Sequence, residues 1–473
     1  MTIRGKKHRL FKNLLIALVA VFVLFAALII NINASTAFRY IFLLPILHGV
    51  LMLLFLSRAN RMFEYPMQII VYVGLFIRNV VTPLLLSGYY DMQKIRVNNQ
   101  GIVNLAIFLM LYETAIIFIV LSHFFKTKNT YNKQHLTLVA GNNHNIFSIV
   151  LIMMVVSVVG LWLLIPEIRH RYDSIFNINA MINLASGVNK DDLAGSSRGL
   201  FTVGIMLVNI CRYLLSAIVL FKIRRISEKK FIGVCATIGV LFLNLLFIST
   251  EVAVIFYIAI YLYLVSTKLW PEIKNVLLSV FATSGGIGIC LLAFAKSGMK
   301  SVEAFISSIG TMLQAYFPGV FNLCGIIIIP KTDILKTIFA DIYSIIPFRN
   351  SIFGLKVENT ADLFNSYNGI AGQIVPLLGE SYHLFGIVFA PLLSGLFVYF
   401  GIQFSKRMSH CDDIVKYAGY SLAVIYLSVG TTCYNFILVG QTMMVLILPI
   451  FLLSLFSHNK YYIKGDKQYD VQT

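Results

Sequence analysis

Charge is what this sequence has least of. Asp, Glu, Lys and Arg supply 12% of its 473 residues, about half the share of a typical soluble domain, too few ionic groups to cover a folded surface in water. Cysteine is sparse as well. Cys211, Cys235, Cys290, Cys324, Cys411 and Cys433 are scattered without a Cys-x-x-Cys spacing, which suggests neither a disulfide framework nor a zinc site. No Walker loop, His-Glu-x-x-His or Gly-x-Ser-x-Gly motif occurs, so the nucleotide, metalloprotease and serine-hydrolase chemistries that need them have no foothold. The alternating short segments of an outer-membrane barrel are missing too. Asp191-Asp192 and Asp412-Asp413 stand as lone pairs without supporting ligands. Neither a metal nor a cofactor is expected.

What the sequence has instead is apolar length. Hydrophobic residues are 58% of the chain and the mean hydropathy is +0.83. Stretches of about 20 apolar residues, the length that crosses a bilayer as a helix, recur from end to end. The reading is all-α: a polytopic helical membrane protein of about twelve transmembrane helices, forming a single integral membrane domain over 1–473. The expected spans are 13–32, 38–57, 66–87, 102–123, 145–165, 200–221, 231–249, 251–267, 275–295, 383–402, 416–434 and 437–457. The first follows Arg4, Lys6, Lys7, Arg9 and Lys12. Its length and the lack of a small-residue cleavage site point to a retained signal anchor.

The net charge of +18 would suggest nucleic acid on a soluble protein. Here its distribution explains it. With the N-terminus inside, clusters such as Lys222–Lys230 and Lys460–Lys467 fall on inner segments, as the positive-inside rule requires. Both termini are therefore expected in the cytoplasm, the location in a bacterial inner (plasma) membrane, and nucleic acid is not expected as a partner. Two outer loops are long, 166–199 and 296–382, and loops of that length are uncommon unless functional or disordered. Both are rich in Ile, Phe, Leu and Tyr, unlike disordered segments. Within the second, Met312–Pro330 is apolar but broken by Pro318, Gly319 and Gly325. It reads as re-entrant or interfacial, allowed only where protein or water satisfies its backbone. No solenoid repeat is visible, and the halves lack matching broken helices.

Ionisable residues inside a bilayer cost about 3 kcal/mol each unless paired or facing water, so they mark sites. Arg78, Arg212, Glu113 and His48 all fall within expected spans. One reading is an internal ion pair such as Arg78–Glu113 that locks helices together. Another starts from two guanidiniums against one carboxylate, an excess that suits an anionic ligand, phosphate above all. Outside, Arg169, His170 and Arg171 follow the fifth span, and Arg198 precedes the sixth, as a headgroup anchor or a gate for an anionic lipid head. Phe247–Glu251 forms a tight turn that brings Glu251 to the outer surface. The second loop ends with Asn359, Asp362, Asn365, Tyr367, Asn368 and Gln373, then Glu380, Tyr382 and His383. Amides, carboxylates and aromatic faces among glycines suit a carbohydrate. The alternative is a polar turn with Glu380 at a helix start.

The stretch Asn368-Gly-Ile-Ala-Gly-Gln373, followed by Gly379-Glu380-Ser-Tyr382 and Phe385-Gly386, is similar to the Asn/Gly-rich segment and late-helix start of one family. With the span count, the two outer loops and the basic inner side, the chain resembles the Wzy-type polymerases of oligosaccharide repeat units, which make O-antigen or capsular polysaccharide. The family's Arg-x10-Gly loop signature is missing. The resemblance implies a glycosyltransferase that moves a glycan from polyprenyl pyrophosphate onto a second lipid-linked repeat unit at the outer face. It implies Arg78, Arg198 and Arg212 on the pyrophosphate, Glu380 or His383 as general base, and Asn365, Tyr367, Asn368, Gln373 and Tyr382 around the sugar. A chain-length regulator is an implied partner beside the bilayer and the lipid-linked oligosaccharide. A flippase for the same lipid, an O-antigen ligase and a small-molecule permease remain open as alternatives.

Overall fold

The computed structural model describes residues 3–58, 65–88, 99–123, 135–138, 145–166, 168, 196–246, 252–297, 301–331, 333–347, 349, 357–369, 374–457 and 461–464. The described chain is helical apart from two four-residue strands. Among the described residues, seven helices are long and apolar enough to cross a membrane: Thr36–Leu54, Pro66–Leu86, Gln100–His123, Phe147–Leu164, Gly199–Ile226, Pro271–Cys290 and Phe436–Ser454. Only 6% of the Phe147–Leu164 window and 11% of the Pro271–Cys290 window are buried in protein. Helices so apolar and so exposed are stable only against a non-aqueous surrounding, where each backbone group bonds within its own helix. The chain is built as a membrane protein.

The chain divides into two compact units. The first holds Met1–Lys128, Cys290–Gln403 and Tyr426–Gln441. Its early part contains α1 (Ile3–Asn33), α2 (Leu43–Arg58), α3 (Pro66–Phe76), α4 (Thr82–Leu86) and α5 (Gln100–His123). A π turn, Ile77–Val81, joins α3 to α4. The cause is Pro83, which lacks an N–H and whose ring would clash with the carbonyl of Asn79 in a regular helix. The core of this unit gathers Ile30, Phe38, Ile41, Leu44, Leu86, Val103, Leu109 and Met110 with residues from further along the chain.

Those later residues come from the segment read as the second outer loop, which is largely helical: α11 (Val302–Tyr316), α12 (Val320–Ile327), α13 (Ile334–Ile345), α14 (Thr360–Asn368) and α15 (Leu377–Phe385). The expected break in Met312–Pro330 is there, between α11 and α12 at Phe317–Gly319. Every residue of α12 from Val320 to Ile326 is buried, and the helix packs against α5 and α15. Protein encloses it, which is how a short broken helix is tolerated at such apolarity. One expected boundary needs correction. The span predicted at 383–402 is divided: α15 stops at Gly386, whose φ of 76° favours glycine, and α16 (Leu392–Ser409) begins only after Pro391. The left-handed turn and the proline end one helix and delay the next.

The second unit holds Asn129–Ile289, Phe404–Ile425 and Thr442–Thr473. It contains β1 (His135–Leu138), α6 (Asn145–Leu164), α7 (Ser196–Ile226), α8 (Lys230–Leu246) and α9 (Val252–Leu269). Most of α10 (Lys274–Ser297) also falls here. α17 (Ile414–Gly430) begins in this unit. The last span is α18 (Phe436–Thr442) and α19 (Leu448–Ser454), joined by a second π turn at Met443–Ile447 and followed by β2 (Tyr461–Lys464). Here too a proline, Pro449, stands two residues beyond the π turn. Helices α7, α8 and α9 pack together through buried polar pairs. Asn244 donates to Ser216 at 2.9 Å, Thr237 to Ser266 at 2.7 Å, and Tyr261 to the Tyr213 carbonyl at 2.8 Å.

β1 and β2 pair antiparallel, His135 opposite Lys464 and Thr137 opposite Tyr462. Paired strands must share one side of any membrane the chain crosses. A Thr137→Cys/Tyr462→Cys variant should therefore cross-link in native membranes, with the single-cysteine variants as controls. Opposite labelling by an impermeant reagent from the two sides would refute the pairing.

Candidate functional site

Arg78 sits on the first π turn and is 2% exposed, opposite Glu113 of α5, which is fully buried. The guanidinium pairs with Glu113 Oε2 and donates from its other terminal nitrogen to the Thr431 carbonyl at 3.4 Å. Ser394 of α16 donates to Glu113 Oε1. One residue on, Asn79 donates to Thr114 at 3.0 Å. The internal ion pair is thus the arrangement adopted, with both carboxylate oxygens satisfied as a buried charge requires. His48 is buried beside the rings of Tyr72, Phe76 and Phe118, a core histidine among aromatics.

The rest of Arg78 faces a small cavity lined by Ile41, Thr82, Pro83, Leu86, Gln314, Gly319, Val320 and Phe321. The break between α11 and α12 therefore lies against the π turn. Arg78 Nε and Thr82 Oγ1 are buried without a hydrogen-bond partner. Gln314 is held in place by donating to Asn322 at 2.7 Å, and Asn322 by donating to the Ile374 carbonyl at 2.9 Å. Arg212 is also buried, but on α7, whose first turn contains Arg198. The three arginines expected on one pyrophosphate are thus divided between the two units. Arg169, His170, Arg171, the Asp191-Asp192 pair and Glu251 lie outside the described residues, and so does Gln373.

The polar residues at the end of the second loop are spent largely on one another. Asn359 caps α14, accepting from Ala361 and Asp362 N–H at 3.0 Å each and donating to Ser344 at 3.0 Å. The Thr360 N–H and hydroxyl both bond Asp341, at 2.8 and 2.7 Å. Asn368 donates to the carbonyls of Gly325 and Phe364, and Tyr382 packs on the apolar core. Of the sugar-binding candidates, Tyr367 is 54% exposed and Asn365 keeps a carboxamide oxygen without a partner. Helix capping accounts for much of this polar stretch.

Glu380 of α15 is fully buried and accepts from the Phe436 N–H at 2.7 Å, tying α15 to the start of the last span. It lies outside the candidate spans. Burial, then the neighbouring Asp341 carboxylate, raises its pKa well above 4.5, against the lowering pull of that N–H. The Asp341 pKa is raised by burial as well. Burial therefore favours the neutral form of this carboxyl. His383, one turn further on, is 5% exposed.

Sequence reasoning missed Asp341, Thr82, Gln314 and Ser394. Asp341 offered a signal, a lone carboxylate within the apolar run Ile338-Phe-Ala-Asp341-Ile-Tyr. Thr82 stood beside the proline that makes the π turn. Among the described residues no three His, Cys, Asp or Glu side chains converge as metal ligands would. Asp413 is occupied with Ser457 and the Lys416 N–H. No protein family, curated protein or solved structure matches this chain.

Two outcomes follow from this geometry. Arg78→Ala strands the Glu113 charge and should cost about 3–5 kcal/mol, whereas Arg78→Met with Glu113→Leu should recover most of that loss. Denaturation of the detergent-solubilised variants measures both, and a single mutant as stable as the parent would remove the pair from its structural role. The second outcome concerns pH. Because the folded pKa of Glu380 is raised, its contribution to stability is full below about 4.5 and is lost as pH rises through the folded value. The melting temperature should fall on that rise and fall less in Glu380→Gln; identical slopes in the two proteins would contradict it.

Proposed function

We propose that this chain is a multi-span glycosyltransferase of a bacterial inner membrane that polymerises lipid-linked oligosaccharide repeat units. The transfer starts from polyprenyl pyrophosphate at the outer face. The observation that carries the reading is the buried Arg78 guanidinium at a π turn, directly against a broken apolar segment. A guanidinium fixed beside an interrupted helix offers a departing pyrophosphate preorganised hydrogen-bond donors where its charge develops.

Beyond the seven long helices, four shorter apolar ones at Ala17–Asn33, Lys230–Leu245, Val254–Leu269 and Ile414–Gly430, together with α16, bring the proposed spans to about twelve. Both termini are placed inside, with the helices between α10 and α16 at the outer face. In that region a proton must leave the acceptor hydroxyl as the new glycosidic bond forms and the bond from anomeric carbon to pyrophosphate breaks. His383 is the proposed acceptor of that proton. Glu380 positions α15 by accepting from the Phe436 N–H. Asn365 and Tyr367, the sugar candidates least engaged elsewhere, are proposed to meet the glycan.

Deletion of the gene, followed by a gel of the surface polysaccharide, tests the reading. Loss of the long ladder with single repeat units retained supports polymerisation. Loss of everything indicates a flippase, and free undecaprenyl-linked polymer a ligase. On complementation, His383→Ala should lose the ladder. Glu380→Gln, which resembles the protonated acid, should keep it. A full ladder from His383→Ala would end the proposed role of that residue.

A further inference from the structure

The cavity beside Arg78 collects hydrogen-bond donors from both of its walls. On one wall stand Arg78 and Thr82, each 2% exposed, whose Nε and Oγ1 are buried without a hydrogen-bond partner. On the other is the N-terminus of α12, where no side chain caps the helix at Gly319 and where Gly319, Val320 and Phe321 line the space. A helix start carries roughly half a positive charge and directs its free N–H groups outward along the axis, so it favours an anion. The Arg78 charge is balanced by Glu113, so the residual field of the cavity is that of the helix terminus. Gln314 is fixed at the rim through Asn322. We infer that this cavity is a binding site for one oxygen of a phosphate group, seated between the Arg78 and Thr82 donors and the start of α12.

The inference rests on the Arg78 site of the proposed glycosyl transfer and deepens it. The oxygen can belong to inorganic phosphate or to a lipid headgroup, and unfolding with phosphate can fail independently of the polysaccharide ladder. The cavity is small, so only one oxygen enters and the rest of the group stays at its mouth. Occupancy would tie the π turn of the Pro66–Leu86 span to the α11–α12 break, beside the contacts that α11 already makes with that turn. A ligand that binds the folded state raises its melting temperature by mass action.

The test uses the full chain purified in a neutral detergent. Unfolding is followed with inorganic phosphate, with sodium chloride at equal ionic strength, and with phosphatidic acid added to the micelles. Phosphate or phosphatidic acid should raise the melting temperature beyond chloride. A response to phosphatidic acid alone assigns the source to a lipid headgroup, and a response to both assigns it to phosphate in either form. Thr82→Val keeps the shape and removes one donor; Arg78→Lys keeps the cation beside Glu113 and removes Nε. Each should weaken the apparent affinity about ten-fold, the loss of one charge-assisted hydrogen bond. A parent protein that responds to neither phosphate source beyond chloride overturns the inference. So does a full response in a variant that folds, which would leave the cavity to water.

Discussion

The ion pair of Arg78 and Glu113 is the constraint around which the first unit is arranged. In an apolar bundle neither charge has water to turn to, so each fixes the other's position, and their helices with them. The pair sets the register of the π turn on α5, repeated one residue on by Asn79 and Thr114. Ser394 brings α16 to the same carboxylate, and the Thr431 carbonyl brings the end of α17 to the same guanidinium. Four segments far apart in sequence thus meet at one neutral charge cluster. The cost of desolvating it explains why its hydrogen bonds are so fully made, and why an unpartnered nitrogen on the same side chain stands out.

Close packing builds on that register. A Cβ at Gly74 would meet the Thr432 hydroxyl at 2.5 Å, and one at Gly430 would meet Val439 and Phe397 at 2.7 and 2.8 Å. These glycines lie on the segments that the charge cluster draws together, and the missing side chains let the backbones approach. In lipid, where helices gain little from hiding apolar surface from one another, such small-residue contacts and interhelical hydrogen bonds carry much of the association. The polar pairs joining α7, α8 and α9 play the same part in the second unit.

The helices were legible because hydropathy sets them and tertiary contacts hardly alter them. The break in Met312–Pro330 was legible from Pro318 and Gly319. Harder to read was the split of the expected 383–402 span, although Gly386 and Pro391 both signalled it; an apolar run conceals a turn when protein supplies the missing backbone partners. The site was less legible than the fold. Which of several buried ionisable residues pair depends on the rotation of neighbouring helices, and hydropathy is blind to rotation. Arg78–Glu113 could be named only as one option, and Arg212 could not be assigned to a separate unit at all. The loop amides suited a sugar by composition alone. Their use as caps depends on Asp341 and Ser344, which the sequence places well away from them.

The pairing of β1 with β2 bears on how the chain is made. Like the bond from Arg78 to Thr431, this one joins segments that leave the ribosome far apart in time. His135–Leu138 stays without its partner until Tyr461–Lys464 exists, so the strand pair closes only after the spans between them are made. Until then its backbone edge is open to whatever else can add a strand. A cell that stalls before Tyr461 would hold a chain whose earlier helices are inserted and whose β1 edge is still adhesive.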